Sequence, residues 1–219
     1  MNFKPFVAVD IALFSVADKD LRVLLIKRTV EPFEGRWVIP GGILLERESL
    51  DQAALRQLKE KAGISDAYLE QLYTFGDPQR DPRERSITVA YFGLVPEDRL
   101  EQVEVERQAV GAEWFSMFNL PDLGFDHARI LEYALTRLRA KLEYTNAAYS
   151  LLPQEFTLTD LQAVYEVVFH EEFDRRNFRK KILAAEVLEA TGNQIIRGAH
   201  RPAQAYRFKK RDLSLVDMT

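Results

Sequence analysis

The segment from Gly42 to Ile64 constrains this chain most, because its glycines, charged residues and apolar residues keep a fixed spacing. It reads GILLERESLDQAALRQLKEKAGI. Apolar residues recur at helical intervals between Ser49 and Ala62, which predicts an amphipathic helix packed on a core. Residues three and four positions apart on a helix are neighbours, so positions 57, 60 and 61 share one patch. Gly63 is then a natural end for the helix.

This spacing resembles the Nudix box, a motif of phosphate-ester hydrolases. The match runs without a gap through Gly42, Glu48, Arg56, Leu58, Glu60, Gly63 and Ile64. It departs at Gln57 and Lys61, where the family has glutamate. A hard cation such as Mg2+ takes several oxygen ligands, whereas Gln57 removes a negative charge and Lys61 adds a positive one. The resemblance therefore implies the Nudix fold without its usual metal site, and we expect no catalytic residue, metal or cofactor.

A structural role is the alternative for the residues that the box retains. Gly41 and Gly42 can form the turn into the loop after Pro40. Arg56 can be the ion-pair partner of Glu48, a pair that in the family holds the loop to the helix even without chemistry. The box is therefore a strong indication of fold and a weak one of activity.

Composition narrows the class of protein. The chain has 219 residues, 47% of them apolar, and no cysteine, so it can bury a core but has no disulfide or thiolate site. The N-terminal run MNFKPFVAVDIALFSV alternates apolar residues without a basic leader, which predicts a strand and not a signal peptide. No apolar run approaches 18 residues. We expect a soluble, cytoplasmic protein of two domains, with a boundary between residues 145 and 146.

The order of elements in residues 1–145 indicates an α/β/α sandwich on a mixed sheet. A turn at residues 17–20 separates two apolar runs and predicts a hairpin, and Gly76 to Arg85 contains two prolines and must be a loop. The predicted strands are Val7 to Val16, Leu21 to Arg28, Tyr68 to Phe75, Ser86 to Val95 and Ala112 to Phe115. A helix is predicted from Phe125 to Leu142.

Residues 146–219 have the order of a winged helix-turn-helix. Thr157 and Asp160 fit a capping box at the start of one helix. Residues 170–173 then form a turn, and Asp174 caps a second helix reaching about Glu186. Extended runs at 187–190, 194–197 and 204–209, with a turn at 198–203, predict a hairpin wing.

Positive and negative charges are concentrated in different parts of the sequence. The net charge is −4, yet residues 174–211 contain eleven Lys and Arg against three Asp and Glu, a net of +8, so the rest carries −12. Such a patch is typical of a nucleic-acid reader, although a solvated basic face is the alternative. The start of the second helix of such a unit usually contacts bases, and Asn177 is the best candidate for a base contact. For His200 the alternative is an ordinary solvent-exposed loop residue. The predicted DNA-binding residues are Arg175, Arg176, Asn177, Arg179, Lys180, Lys181, His200 and Arg201.

The two halves together resemble the Nudix-related transcriptional regulators, the NrtR-like proteins. Besides the box, the resemblance rests on FGDPQRDPRE at 75–84, LGFDHARIL at 123–131, LLPQEFTLTDLQAVYE at 151–166, DRRNFRKKIL at 174–183 and RPAQAYRF at 201–208. The family implies a homodimeric bacterial repressor of NAD-metabolism genes, released from a palindromic operator by ADP-ribose. Some relatives instead respond to sugars and control pentose use.

An effector with a diphosphate needs fixed cations, and the arginine fork suits phosphate oxygens. Arg28, Arg36 and the Arg80 and Arg83 loop are placed to border the box, and Lys61 can neutralise a pyrophosphate where a metal would otherwise stand. Salt bridges to nearby acids are the alternative. The predicted effector-binding residues are Arg28, Arg36, Trp37, Arg56, Glu60, Lys61, Arg80 and Arg83. The competing function is an active Nudix hydrolase with a reduced metal site of Glu48, Glu60 and Glu104 or Glu106.

Overall fold

The computed structural model describes residues 4–100, 111–196 and 201–215. Its strands are β1 Phe6–Ala17, β2 Asp20–Lys27, β3 Trp37–Val38, β4 Gly41–Ile43, β5 Tyr68–Phe75, β6 Ser86–Leu94, β7 Ala112–Ser116, β8 Leu188–Ile195 and β9 Ala203–Phe208. Its α-helices are α1 Leu50–Ala62, α2 His127–Tyr144, α3 Leu158–Phe169 and α4 Arg175–Ala184, with short 3-10 helices at Glu97–Arg99 and Ala147–Ser150. None of the described helices is long and apolar enough to cross a membrane.

The N-terminal strands form a mixed sheet in the order β3-β2-β1-β6-β5, with β4 paired to β1 and β7 paired to β2. β1 runs parallel to β6 and antiparallel to β4. Asp18 and Lys19, between β1 and β2, both have positive φ, as a two-residue hairpin turn requires. The predicted strands in this half are confirmed to within one residue at each end.

Helices cover both faces of this sheet. On one face, Ala53, Ala54 and Leu58 of α1 join a buried cluster with residues of β1, β2 and β6. Ala12, Phe14 and Phe92 alternate to the other face, where Ile130 and Leu131 of α2 are also buried. The predicted α/β/α sandwich is thereby confirmed.

The C-terminal elements form a winged helix. Thr157 and Asp160 make the predicted capping box, with reciprocal bonds of 2.8 and 3.1 Å between backbone N–H and side-chain oxygen. His170, in the left-handed region, ends α3, and Asp174 caps α4 by accepting from the Asn177 N–H at 2.9 Å. Phe156 forms a backbone bridge with Tyr206 of β9, which ties the start of α3 to the wing.

The chain divides into two compact units. One contains residues up to Ser15 together with Leu21–Ala134, and the other contains Val16–Asp20 and the residues from Leu135 onward. The division falls within α2, which continues to Tyr144. The domain boundary at 145/146 remains a prediction.

Candidate functional site

The Nudix-box loop is held against β1 by close backbone approach. Gly41 and Gly42 form part of β4 and pair with Asp10 and Val9, so they belong to a strand as well as to the loop entrance. A Cβ at Gly41 would overlap the Asp10 carboxylate, and one at Gly42 would lie 2.5 Å from the Gln57 amide. The Val9 carbonyl, 2.6 Å from the Cβ position of Gly41, makes glycine necessary there, whereas a side chain at Gly42 would require Gln57 to move.

Gln57, on α1, is the side chain that packs against Gly42. Its side chain is only 5% exposed. In the orientation that satisfies its hydrogen bonds, its amide nitrogen donates to the Gly41 carbonyl at 2.8 Å and its amide oxygen accepts from Arg56 Nη1 at 2.6 Å. Both ends of the amide are engaged, so Gln57 fastens α1 to β4.

Arg56 connects the loop to the helix. It donates to both carboxylate oxygens of Glu48, at 2.8 and 2.6 Å, and to Glu60 at 3.1 Å. A further bond of 3.2 Å reaches the Ile43 carbonyl. The hydrogen bonds from Arg56 lower the pKa of Glu48 to about 2. The Arg56–Glu48 pair thus has the structural role that the sequence analysis gives as the alternative to chemistry.

A cleft of about 230 Å³ opens beside the box and not at the outer face of α1. Its floor is formed by β1 and β4, and its walls are formed by the loop at 80–86 and the turn before α2. It is lined by Phe6, Ala8, Asp10, Arg28, Val38, Ile39, Gly41, Gly42, Ile43, Arg80, Asp81, Arg83, Glu84, Ser86, Phe125 and His127.

The inner end of the cleft contains a buried ionic network. Arg80 donates to Asp126 at 2.8 and 3.0 Å, to Asp10 at 3.1 Å and to the Ser86 hydroxyl at 3.2 Å. Burial lowers the pKa of Arg80, but the hydrogen bonds and negative charges of the two aspartates outweigh it and raise the pKa overall. Arg80 thus holds the 76–85 loop to β1 and to the start of α2.

His127 completes this end of the cleft. Its Nδ1 accepts the Ile39 N–H at 3.1 Å, so a neutral imidazole carries its proton on Nε2, which faces Asp10 at 3.7 Å. Burial lowers the pKa of His127 despite the neighbouring carboxylates. The ring is therefore neutral at pH 7, and its role here is structural.

The rim of the cleft carries two arginines over one aromatic ring. The guanidinium carbons of Arg28 and Arg83 lie 5.0 and 5.7 Å from the centroid of Phe125. Arg28 also donates to two backbone carbonyls of its loop, and Arg83 pairs with Asp81 at 2.8 Å. Burial, followed by the positive charge of Arg83, lowers the pKa of Arg28. Two like charges thus converge where an anionic ligand would relieve their repulsion.

The structure brings together Arg28, Arg80 and Arg83 of the predicted effector-binding residues. The other five do not line the cleft. Trp37 packs edge-on against Phe115, Arg36 lies over Phe33, and Arg56 and Glu60 pair with each other. Lys61 is half-buried in the last turn of α1.

Sequence reasoning missed Asp10, Phe125 and His127. A single aspartate in the apolar run VAVDIALF was a usable signal, because a buried charge needs a partner. Among the described residues, no group of three or more His, Asp or Glu is arranged to hold a metal. Glu104 and Glu106, named for the alternative metal site, lie outside the described residues.

The basic surface lies on α4. Phe178 and Ile182 are buried and face the core of the unit. Arg176, Asn177 and Lys180 lie on the opposite, exposed face, Arg175 and Lys181 are exposed beside the buried stripe, and Arg179 is partly buried. The helical repeat thus gathers Arg176, Asn177 and Lys180 on one solvent-facing surface.

The wing follows α4. β8 and β9 pair antiparallel, with a register shift between Ala190 and Gln194 where Gly192 has a positive φ. Glu155 accepts from the Asn193 amide at 3.0 Å and holds this irregular segment. Arg201, just before β9, is exposed, whereas His200 lies outside the described residues.

Family models match both units. The model of the NUDIX domain matches residues 4–134. The model of the NrtR DNA-binding winged helix domain matches residues 148–208.

Known proteins are similar over most of the chain. The "ADPR responsive transcriptional repressor NtrR" of Acinetobacter baylyi is 39% identical over 95% of this chain and 84% of that protein. NrtR of Shewanella oneidensis, solved with a 27mer DNA, matches with a TM-score of 0.82 and 35% identity over 93% of each chain. The NUDIX domain of that protein, solved with ADP ribose, matches with a TM-score of 0.52 and 34% identity over 62% of this chain and 90% of that one.

An enzyme is also similar over the first unit. The "ADP-ribose pyrophosphatase" of Methanocaldococcus jannaschii is 34% identical over 58% of this chain and 72% of that protein.

Proposed function

Since the chain belongs to the Nudix family and, with its second unit, to the NrtR transcriptional regulators, we propose that it is a DNA-binding repressor whose Nudix domain binds ADP-ribose and then releases the operator. The observation that carries the proposal is 39% identity, over 95% of the chain, to a protein named as an ADP-ribose-responsive repressor. We further propose, as the resemblance to these regulators implies, a cytoplasmic homodimer that acts on NAD-metabolism genes.

The exposed face of α4 supports the DNA-binding half of this proposal. Arg175, Arg176 and Lys180 are exposed, and none makes an ion pair with a carboxylate of the described chain. Such cations can displace counterions from DNA phosphates. Asn177, on the same turn, can pair with an adenine edge in the major groove.

The cleft rim supports the ligand-binding half. Arg28 and Arg83 retain their charge at neutral pH and face the same space, so we place the diphosphate against them. Arg80 is occupied by two carboxylates, and we assign it to positioning the loop that carries Arg83. Lys61 lies outside the cleft lining, so the proposal does not require it to touch phosphate.

Three engaged side chains support a non-catalytic Nudix domain. The amide oxygen of Gln57 already accepts from Arg56, Glu48 is chelated by the same arginine, and Glu60 is paired with it. Similarity of the first unit to an ADP-ribose pyrophosphatase favours the competing function, an active hydrolase with further acids from outside the described residues.

Fluorescence anisotropy of operator DNA tests the regulator. An operator is first selected from random duplexes with the purified protein, and its binding is then titrated with ADP-ribose and, separately, with pentoses. We expect ADP-ribose alone to reduce DNA affinity, and linkage requires operator DNA to weaken ADP-ribose binding by the same factor. Equal DNA affinity with and without ADP-ribose would refute the effector assignment.

Product analysis separates the regulator from the enzyme. ADP-ribose is incubated with the protein and Mg2+ or Mn2+, and AMP and ribose 5-phosphate are measured. We expect no turnover above the metal-only reaction. Turnover that is lost in Glu60→Gln would instead establish the hydrolase.

A further inference from the structure

The floor of the cleft changes character along β1. Phe6, Ala8 and Asp10 are every second residue of β1, so their side chains project from the same side of the strand, and all three line the cleft. At about 3.3 Å per residue, this row spans roughly 13 Å. Asp10, at the inner end, is buried in the ionic network, whereas Phe6, at the outer end, is 43% exposed. One end of the cleft is therefore charged and the other apolar.

A second exposed apolar side chain, that of Ile43, extends the apolar surface at the outer end of the cleft. Ile43 of β4 is 53% exposed and lies opposite Ala8 in the β1–β4 pairing. Single exposed apolar residues are ordinary on protein surfaces, but these two border the same floor of a cleft. No other aromatic ring of the described chain packs against Phe6. Its exposed surface is therefore available to a ligand.

The backbone fixes both side chains in place. The Phe6 N–H donates to the Arg85 carbonyl at 3.0 Å, and Phe6 pairs with Ser86 of β6. The Ile43 carbonyl accepts from Arg56 Nη2 at 3.2 Å. A platform whose backbone is already ordered loses little conformational entropy when a ligand binds.

We infer that Phe6 and Ile43 form the platform on which the nucleobase of the ligand stacks, while Arg28 and Arg83 hold its diphosphate. This inference rests on the proposed function and adds the part of the site that distinguishes a nucleoside diphosphate sugar from a simple sugar phosphate. An aromatic face binds any planar base, so the platform supplies affinity for a base without selecting which base.

Calorimetry with ADP-ribose tests the platform. Loss of one base–aromatic stack weakens binding by roughly 5- to 150-fold, and we expect that loss in Phe6→Ala. Phe6→Trp, which keeps an aromatic face, should retain affinity within about threefold. The control is Leu45→Ala, because Leu45 is 56% exposed and lies outside the cleft lining.

Fluorescent 1,N6-etheno-ADP-ribose reports on the base itself. Its emission should change on binding to the wild type and to Phe6→Trp, and it should resemble the free ligand with Phe6→Ala at saturating protein. Ile43→Ala, a milder change at the same floor, should weaken ADP-ribose binding less than Phe6→Ala and provides the test if Phe6→Ala fails to fold.

Two outcomes would refute the nucleobase platform, and a third would refute the proposed function. Unchanged ADP-ribose affinity in Phe6→Ala refutes the platform and leaves the proposed function intact. A change in sedimentation without a change in affinity assigns Phe6 to contact between copies and also refutes it. A wild-type protein that binds no ADP-ribose refutes the proposed function itself.

Discussion

Two arginines of the first unit and three cations of α4 have opposite surroundings. Arg56 and Arg80 each contact two carboxylates of their own unit. Arg175, Arg176 and Lys180 face solvent, and within the described residues they have no acidic partner. The first arrangement fixes the walls of a cleft, and the second leaves charge available to an external polyanion. The number of Lys and Arg residues does not distinguish a structural cation from a ligand-binding one. The positions of the neighbouring carboxylates do.

The largest effect should follow from breaking the buried network. Arg80→Ala leaves buried Asp10 and partly buried Asp126 without their partner, and breaking a buried pair costs about 3–5 kcal/mol. Trp37 and Trp114, the two tryptophans of the chain, lie in the first unit, so their fluorescence follows its unfolding in urea. We expect the midpoint to fall by roughly 1–3 M.

Arg83→Ala is the matched control for that experiment. Arg83 is 52% exposed in its pair with Asp81, and exposed pairs contribute about 0–1 kcal/mol. If both variants unfolded at the same urea concentration, the distinction between buried and exposed arginines would be wrong.

The next effect concerns DNA. Removing two phosphate contacts with Arg176→Ala plus Lys180→Ala should weaken operator binding by roughly tenfold to a hundredfold at 0.1 M salt, and should reduce the slope of log K against log salt by about 1.8. Anisotropy at several salt concentrations measures both. Arg47→Ala plus Lys59→Ala removes the same charge from the first unit and should leave the slope unchanged. Equal slopes for the two double variants would rule out α4 as the DNA-contacting surface.

A smaller effect is expected at the two capped helices, one in each unit. Ser49 and Thr157 each complete a capping box, and replacing either by alanine should cost about 1 kcal/mol. Circular dichroism during urea unfolding measures the loss. Thr157→Ser and Ser49→Thr keep the capping oxygen and should restore most of the stability, an outcome that a general packing defect would not give.

The smallest effect depends on pH. The pKa of Glu48 is about 2 in the folded state because of Arg56, below the value of about 4.3 for an unfolded glutamate. The ion pair therefore stabilises the fold above pH 4.3, and this stabilisation disappears as the pH falls towards 2. Glu48→Gln should be less stable than wild type at pH 7, and the difference should shrink across that window. Glu46→Gln removes another acid from the same loop and is the matched control for the loss of charge.

Local chemistry allowed most of the fold to be predicted. The capping box of Thr157, the turn at Asp18 and Lys19 and the strand Tyr68–Phe75 depend on neighbouring residues, and each lies where the sequence placed it. The wing was predicted less accurately. The sequence predicts two extended runs separated at 191–193, but β8 is continuous through this segment. The positive φ of Gly192 accommodates the register shift there.

The candidate site was harder to predict because its contacts join distant parts of the chain. Arg80 and Asp10 are 70 residues apart, and Ile39 and His127 are 88 apart. The motif at 75–84 predicts that both Arg80 and Arg83 border the ligand site. The structure shows that they differ: Arg80 is paired with two aspartates, whereas Arg83 lies at the rim of the cleft. Helix geometry similarly grouped residues 57, 60 and 61, yet it could not reveal that Gln57 is buried under β4.

The hydrogen bond from Gln57 to Gly41 determines which side chains position 57 can accept. A glutamate at position 57 would put a carboxylate oxygen about where the amide nitrogen now lies, 2.8 Å from the Gly41 carbonyl oxygen. Two oxygens at that distance repel unless a proton or a cation lies between them. Gln57→Glu would therefore weaken the attachment of α1 to β4 unless a cation bound between the two oxygens.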